Sequence, residues 1–203
     1  MGLHFVMNGA RRRQPGVIAT LQENPTQLQR VLAGFGWSLR EPNVEIMYRS
    51  PVDIYIDEWV YDLMDTVERT KARRVLIDSL ADLRISAADE IRFHEFTYSI
   101  VQRFSRQGVS VMMTSEVPRL FGADHISDFA VSSLADNIVM LGHQRERDTI
   151  GRTMAVIKTR ASRHDPAVRK FVIGPQGIVL DEVLPATEDS PQDDSGLASV
   201  PSP

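Results

Sequence analysis

Residues 74–78 read Arg-Val-Leu-Ile-Asp, a short apolar run that ends in a carboxylate. Similar apolar runs lie upstream at residues 17–21 and 44–48, and a fourth lies downstream at residues 109–114. Helical patterns separate these runs. Near-continuous apolar strands that alternate with helices are typical of a parallel sheet covered on both faces. The sequence therefore predicts an α/β fold built on a mostly parallel sheet.

Helices are predicted between these strands from apolar periodicity and from the residues that start or stop a helix. The predicted helices cover residues 3–13, 25–35, 57–70 and 89–107. Asn24 and Pro25 form a start signal for the second helix, and Gly36 follows its end. The first helix looks like the later part of a longer one, because apolar positions follow Met1 at once.

The pattern changes after Pro118. Residues 119–133 are rich in Gly, Asp and Ser and predict a loop with a short helical piece. Short apolar runs follow at residues 137–141, 153–158, 169–173 and 178–180. We expect these runs to be partly antiparallel strands that extend the sheet.

The C-terminal residues 186–203 differ in composition from the rest of the chain. They hold four acids and no Lys or Arg, so residues 1–185 carry 23 acids and 23 bases. We expect one folded domain over residues 1–185 and an acidic, Ser/Pro-rich disordered tail over residues 186–203. A neutral body argues against a protein that coats nucleic acid, because that role needs a basic face.

Composition also excludes several kinds of site. Without cysteine the chain has no disulfide, thiolate metal ligand or cysteine nucleophile. The five histidines lack the H-x-H and H-x-x-x-H spacings of zinc sites. No signal-peptide pattern is visible, and no apolar run approaches the roughly 18 residues of a membrane span. We therefore expect a cytoplasmic protein without a membrane partner.

Four polar residues are candidates for chemistry. Asp78 ends a buried strand, where a carboxylate can hold Mg²⁺, although a turn or helix-capping role fits the pattern equally well. Glu23 can act as a general base toward water, but the residues alone favour a first-turn helix acid. Lys158 and Arg160 stand two apart on a strand and so point to one side. These two residues can bind phosphate together, or they can simply be solvent-exposed charges at the edge of the sheet.

Eight stretches carry a resemblance that no single motif carries alone. They are GLHFVMNGARR at 2–12, ATLQENP at 19–25, RRVLIDSL at 73–80, DEIRFHEF at 89–96, VMMTSEVPRLFG at 111–122, SSLADNIVML at 132–141, IKTRASRHD at 157–165 and VRKFVIGPQGIVL at 168–180. In combination they make the chain resemble the KaiC-like family of RecA-superfamily ATPases. The resemblance implies a RecA-like P-loop NTPase fold, ATP and Mg²⁺ as cofactors, and hexameric rings that hold ATP between neighbouring subunits.

The same resemblance implies site residues. Asp78 matches the Walker B aspartate, which holds Mg²⁺ through water. The paired glutamates of the family correspond to Gln22 and Glu23, so the first of them is an amide in this chain. Lys158 and Arg160 match a Lys-x-Arg pair that reaches the γ-phosphate of a neighbouring subunit's ATP.

Further residues follow from the resemblance around that basic pair. Ser162 and His164 fall in the same nucleotide-facing motif, and Arg152 is expected at the same interface. Some relatives phosphorylate themselves on a Ser/Thr pair at the position of residues 132–133. A polar loop is the favoured interpretation of these two serines here.

One family motif does not occur in these 203 residues. The family has a strand and a G-x-x-x-x-G-K-[ST] loop before the helix that resembles residues 2–5, and no GK[ST] tripeptide is present. The favoured hypothesis is a KaiC-like ATPase domain in signalling or regulation, truncated before its first helix.

Two alternatives stay open. The first is a non-hydrolysing interaction or signalling subunit of the same family, acting beside a complete, related subunit. The second is a RadA-like DNA-binding protein with residues 119–133 as a DNA loop. The neutral body argues against DNA binding, as does the presence of only one Lys or Arg, Arg119, in that loop.

Overall fold

The computed structural model describes residues 1–50, 52, 54–87, 89–116, 132–146, 149–175 and 177–183. The helices in this part of the chain are α1 (Gly2–Arg11), α2 (Pro25–Gly34), α3 (Ile56–Thr70), α4 (Leu80–Ser86) and α5 (Glu90–Arg106). The strands are β1 (Gly16–Thr20), β2 (Val44–Tyr48), β3 (Arg74–Asp78), β4 (Ser110–Met113), β5 (Asn137–Glu146), β6 (Thr149–Thr159), β7 (Arg169–Gly174) and β8 (Gly177–Val183).

The first four strands form a parallel sheet in the order β2-β1-β3-β4. The register pairs Gly16 with Arg74 at one end of the strands and Thr20 with Asp78 at the other. The carboxyl ends of β1 and β3 therefore lie side by side. The predicted α/β class with a parallel sheet is confirmed.

This parallel sheet is buried on both faces, as its apolar strands predicted. Along β1, Val17 and Ala19 point to one face while Ile18 points to the other. Helices α3, α4 and α5 cover the first face, and α1 and α2 cover the second. The largest side chains in the first core are Trp59, Leu63, Phe93, Ile100 and Phe104, and those in the second are Met7, Leu28, Leu32, Trp37 and Leu76.

The C-terminal strands form a second, antiparallel sheet in the order β5-β6-β7-β8. The expectation that they extend the first sheet was wrong, since no strand pairing joins the two sheets within the described residues. Each of these strands pairs with its neighbour along the chain, which is the usual arrangement of consecutive antiparallel strands. Strands β5 and β6 reach 10 and 11 residues, longer than predicted.

The first residue of β8, Gly177, lies against α1. Gly177 has a φ of +101°, and a Cβ there would clash with the ring of His4 in α1. His4 packs edge-on against Trp37, with ring centroids 4.7 Å apart. The close approach of the start of β8 to α1 therefore requires glycine.

Several sequence predictions lie outside the described residues. The predicted DNA loop is described only at residues 132 and 133, and the predicted tail at 186–203 is not described. Within the described part of the chain, no helix is long and apolar enough to cross a membrane.

Candidate functional site

Asp78 lies at the carboxyl edge of the parallel sheet, where β3 ends. The Thr114 hydroxyl donates a short hydrogen bond to Asp78 Oδ1 from the end of the neighbouring strand. The Leu21 N–H donates to the Asp78 carbonyl at 2.8 Å, which ties the end of β1 to the same point. The peptide bond from Asp78 to Ser79 is cis. Ser79, not Asp78, is the N-cap residue of α4, so the helix-capping interpretation of Asp78 was wrong.

Glu23 lies beside this aspartate, three residues beyond β1. Its N–H donates to the Thr20 hydroxyl at 3.2 Å, which folds the chain back at the strand end. Partial burial raises the pKa of Glu23 above its ordinary 4.5, and the negative charge of Asp78 raises this pKa further. Glu23 precedes Asn24, the N-cap of α2, so it is not a first-turn helix acid.

The amino end of α1 faces the same edge of the sheet. Burial lowers the pKa of the Met1 amino group, and the negative charge of Asp78 opposes that shift. Unpaired N–H groups and the helix dipole make such an end favourable for anions. No acidic side chain lies in the first turn of α1. The edge thus combines two carboxylates with a helix end that attracts negative charge.

The basic pair is held by the segment before β5. Lys158 Nζ donates to the Ser132 carbonyl at 2.8 Å, and Arg160 Nη2 donates to the Ser133 carbonyl at 3.2 Å. Arg160 also forms an ion pair with Asp136 at 3.0 Å. Lys158 lies in β6 and Arg160 directly follows that strand, so the prediction that both stand on the strand holds for Lys158 alone. Both cations reach the same short segment.

The loop after β6 is organised by Thr159. Its hydroxyl donates to the Ser162 carbonyl at 2.8 Å and lies 3.0 Å from Nδ1 of His164. Ser162 and His164 are both exposed. Arg152 is also exposed, and lies farther back on β6 opposite His143. The structure thus places Ser162 and His164 in one loop and Arg152 apart from them.

The predicted site residues fall into two groups. Glu23 and Asp78 meet at the parallel sheet, whereas the basic residues lie on the antiparallel sheet. Within the described residues, no hydrogen bond or ion pair joins the two groups. Gln22 is exposed beside Glu23.

Two hydroxyl residues were not among the predicted site residues. Thr114 directly follows β4, and the rule that ligands bind at the carboxyl ends of parallel strands could have found it. Thr159 stands between the two predicted cations Lys158 and Arg160. Nothing in the sequence indicates that its hydroxyl binds the loop after β6.

The comparisons with known proteins decide the family. A family model described as "ATPase: KaiC" matches residues 1–184, a range that includes every described residue. The chain belongs to the KaiC family of ATPases. This KaiC-family match runs through both sheets, so the antiparallel strands are part of the family's domain.

Curated relatives carry clock-protein names. The circadian clock protein KaiC3 of Synechocystis is 27% identical over 183 residues, which cover 88% of this chain and 36% of the relative. The circadian clock oscillator protein KaiC of Parasynechococcus marenigrum is 30% identical over 194 residues, which cover 88% of this chain and 37% of the relative. The chain thus spans about a third of the length of these relatives. These matches favour KaiC over the RadA-like alternative.

A solved structure supports the fold. A KaiC-like protein from the hyperthermophilic archaeon Pyrococcus horikoshii superposes with a TM-score of 0.74 at 26% identity. The match covers 89% of this chain and 82% of that protein. The RecA-like fold predicted from sequence is confirmed by this likeness.

Proposed function

We propose that this chain is an ATP-binding and ATP-hydrolysing domain of a KaiC-family assembly that acts in signalling or regulation in the cytoplasm. The observation that carries the proposal is the meeting of Asp78 and Glu23 beside the amino end of α1. In α/β folds of this kind, ligands bind at the carboxyl edge of the strands, and helix amino ends there receive phosphate.

The donor set at this edge fits Mg²⁺ bound together with ATP. Mg²⁺ prefers oxygen ligands and usually keeps several waters and phosphate oxygens, using only one or two carboxylates. Asp78 supplies such a carboxylate, with one oxygen oriented by Thr114. Within the described residues, no three acidic, His or Cys side chains cluster into a full protein cage. Asp78 would hold Mg²⁺ through water, and the ion would neutralise charge that develops on the phosphates.

Glu23 is the candidate general base. Its raised pKa makes it a better proton acceptor from water than an ordinary exposed carboxylate. Gln22 carries an amide and cannot take this proton, so Glu23 alone would orient and deprotonate the attacking water.

We assign the basic residues to a neighbouring subunit's nucleotide. Lys158 and Arg160 make no hydrogen bond or ion pair with Asp78 or Glu23 of their own chain. They would therefore act across a subunit interface. The neighbour would be another copy in a hexameric homo-oligomer or a related complete subunit. A guanidinium aimed at the γ-phosphate stabilises charge in the transition state. Ser162, His164 and Arg152 would contribute contacts at that interface.

Hydrolysis by the protein purified from its native cells tests the proposal. Asp78→Asn should lower the Mg²⁺-dependent rate of phosphate release by at least about a hundredfold, because it removes the carboxylate that orients the metal. Asp65→Asn, an exposed aspartate on α3, is the matched control and should leave the rate unchanged. Equal rates for the Asp78→Asn variant and the unsubstituted protein would contradict the assignment.

A non-hydrolysing subunit is the second candidate. Gln22 favours it, because an amide stands where the resemblance implies the first of two glutamates. In that case the unsubstituted protein releases no phosphate, while its addition accelerates hydrolysis by a complete KaiC-family partner. The same assay, run with and without such a partner, separates the two candidates.

A further inference from the structure

A second concave site lies at the opposite end of the parallel sheet from Asp78. It is a cavity of about 500 Å³ at the amino ends of β3 and β4. The polar residues that line it are Arg13, Gln14, Arg73, Arg74 and Ser110. The volume lies within the range of about 300–1,000 Å³ that is usual for small-molecule sites.

One arginine of this cavity is held rigidly. Arg74 donates from Nε to Gln14 Oε1 at 3.0 Å and from Nη1 to the Phe5 carbonyl at 2.7 Å. Its guanidinium lies 5.0 Å from the Phe5 ring centroid. Its stem passes so close to α1 that a Cβ at Gly9 would lie 2.5 Å from Arg74 Cδ. The orientation of this planar donor group is therefore set before any ligand arrives.

The other two arginines come from neighbouring segments. The Arg73 N–H donates to the Pro15 carbonyl at 2.6 Å, which brings the loop after α1 against the start of β3. This contact brings Arg13 and Arg73 to the wall of the same cavity. Arg73 donates from Nη1 to the Gln107 carbonyl at 3.3 Å, which is a neutral partner.

Among the described residues, these three positive charges have no acidic partner. None of the ion pairs that join described residues uses Arg13, Arg73 or Arg74. No carboxylate lines the cavity. Residues 1–185 hold equal numbers of acids and bases. The three arginines therefore give this cavity a local positive potential, which its concave shape strengthens.

We propose that this cavity binds a phosphorylated small molecule of about nucleotide size, at a site separate from the Asp78 edge. Arginine forks match phosphate oxygens and bind them with charge-assisted hydrogen bonds. The Ser110 side chain on the rim adds a hydroxyl that can donate to phosphate. Three arginines in one concavity favour a small phosphorylated ligand over a nucleic acid, which needs a continuous basic face. A ligand here would bridge α1 and β3 and so stabilise the core element that carries Asp78.

Calorimetric titration with pyrophosphate tests this site. The titration is run in EDTA at low ionic strength, so that no Mg²⁺-dependent binding at the Asp78 edge contributes. Arg13→Gln and Arg73→Gln should each weaken binding by about tenfold, since each removes a charged hydrogen-bond donor. Arg74 is left intact because it also holds α1. Arg30→Gln, an exposed arginine on α2 outside the cavity, should bind like the unsubstituted protein.

Three outcomes would overturn the proposal. Equal weakening by Arg30→Gln would mean that pyrophosphate binds through diffuse charge alone. Failure to bind pyrophosphate would remove the site. Binding of single-stranded DNA with the same dependence on Arg13 and Arg73, without binding of pyrophosphate, would instead make this a nucleic-acid surface. Thermal unfolding of each variant checks that the fold is retained.

Discussion

Two like charges meet in a half-buried space where Glu23 faces Asp78. Removing Glu23 from water disfavours its ionised form, and the neighbouring carboxylate adds repulsion. Thr114 offsets part of this cost by donating to Asp78, but it offers nothing to Glu23. The arrangement is unfavourable for folding at neutral pH, which is a common property of sites that hold charged groups ready for a ligand.

The pH dependence of stability should reveal this cost. The pKa of Glu23 in the folded chain lies above its ordinary 4.5, so the folded state keeps this proton more tightly than the unfolded state. The stabilisation from the protonated form is therefore complete below about pH 4.5 and is lost as pH rises through the folded-state pKa. Glu23→Gln should raise the free energy of unfolding at pH 7 relative to the unsubstituted protein, with a smaller gain at pH 4.

Urea unfolding across pH 4 to 7.5 measures this difference. Glu68→Gln, on the exposed surface of α3, is the matched control and should not reproduce the trend. A constant difference between Glu23→Gln and the unsubstituted protein across this range would show that Asp78 and burial do not act on Glu23.

Among the elements, α2 has the best-defined start. The Asn24 side chain accepts from the Gln27 N–H at 3.0 Å, and the Gln27 side chain accepts from the Asn24 N–H at 3.1 Å. This reciprocal capping box, with Pro25 following it, ends the turn that carries Glu23. The cap therefore stabilises the helix and also fixes the chain direction beside the carboxylate.

Removal of the Asn24 cap should destabilise α2 and the folded protein. Asn24→Ala should lower the free energy of unfolding by about 1 kcal/mol, because it leaves helix N–H groups without a partner. Asn8→Ala, at an exposed position inside α1, should be neutral or slightly stabilising, since alanine is the better helix former. Equal losses in the two variants, measured by chemical denaturation, would contradict the capping role.

The sequence predicted some elements better than others. Strands β2 and β3 begin and end where their apolar runs predicted. Helix α4 was missed because seven residues are too few for a helical period to be recognised. Strands β5 and β6 were predicted too short because they continue through exposed polar and charged residues such as His143 and Arg145, which break the apolar run by which a strand is recognised.

Across the whole molecule, the acidic and basic residues of the candidate site lie on different sheets. Asp78 belongs to the parallel sheet, while Lys158 lies in β6 of the antiparallel sheet and Arg160 directly follows that strand. Both basic residues contact residues 132–136. Under the proposed function, one chain would provide two half-sites. A head-to-tail ring would bring the basic half of one subunit to the acidic half of the next.

Mixing variants tests this arrangement. Asp78→Asn and Arg160→Gln should each lose phosphate release, since each removes one half of every shared site. In a ring mixed at random from equal amounts of the two variants, about a quarter of the interfaces would combine an intact Asp78 with an intact Arg160. Phosphate release should then recover to about a quarter of the rate of the unsubstituted protein. No recovery after subunit exchange, with both variants folded, would contradict action across an interface.

A further variant tests whether Arg160 acts on the nucleotide directly or only holds residues 132–136 in place. Asp136→Asn breaks the same surface ion pair as Arg160→Gln but keeps the guanidinium. Because exposed ion pairs contribute little to stability, Asp136→Asn should keep most of the hydrolysis rate. If it loses as much rate as Arg160→Gln, the arginine acts by holding residues 132–136 in place.

The sequence by itself determined the α/β class, the parallel sheet and the position of Asp78 at a strand end. These features follow from the spacing of apolar residues along the chain, which local periodicity records. Only the tertiary structure decided that β5 to β8 form their own sheet, that Thr114 orients Asp78, and that three arginines share a cavity. Such contacts join segments far apart in the chain, so they depend on packing in three dimensions and leave no periodic pattern in the sequence.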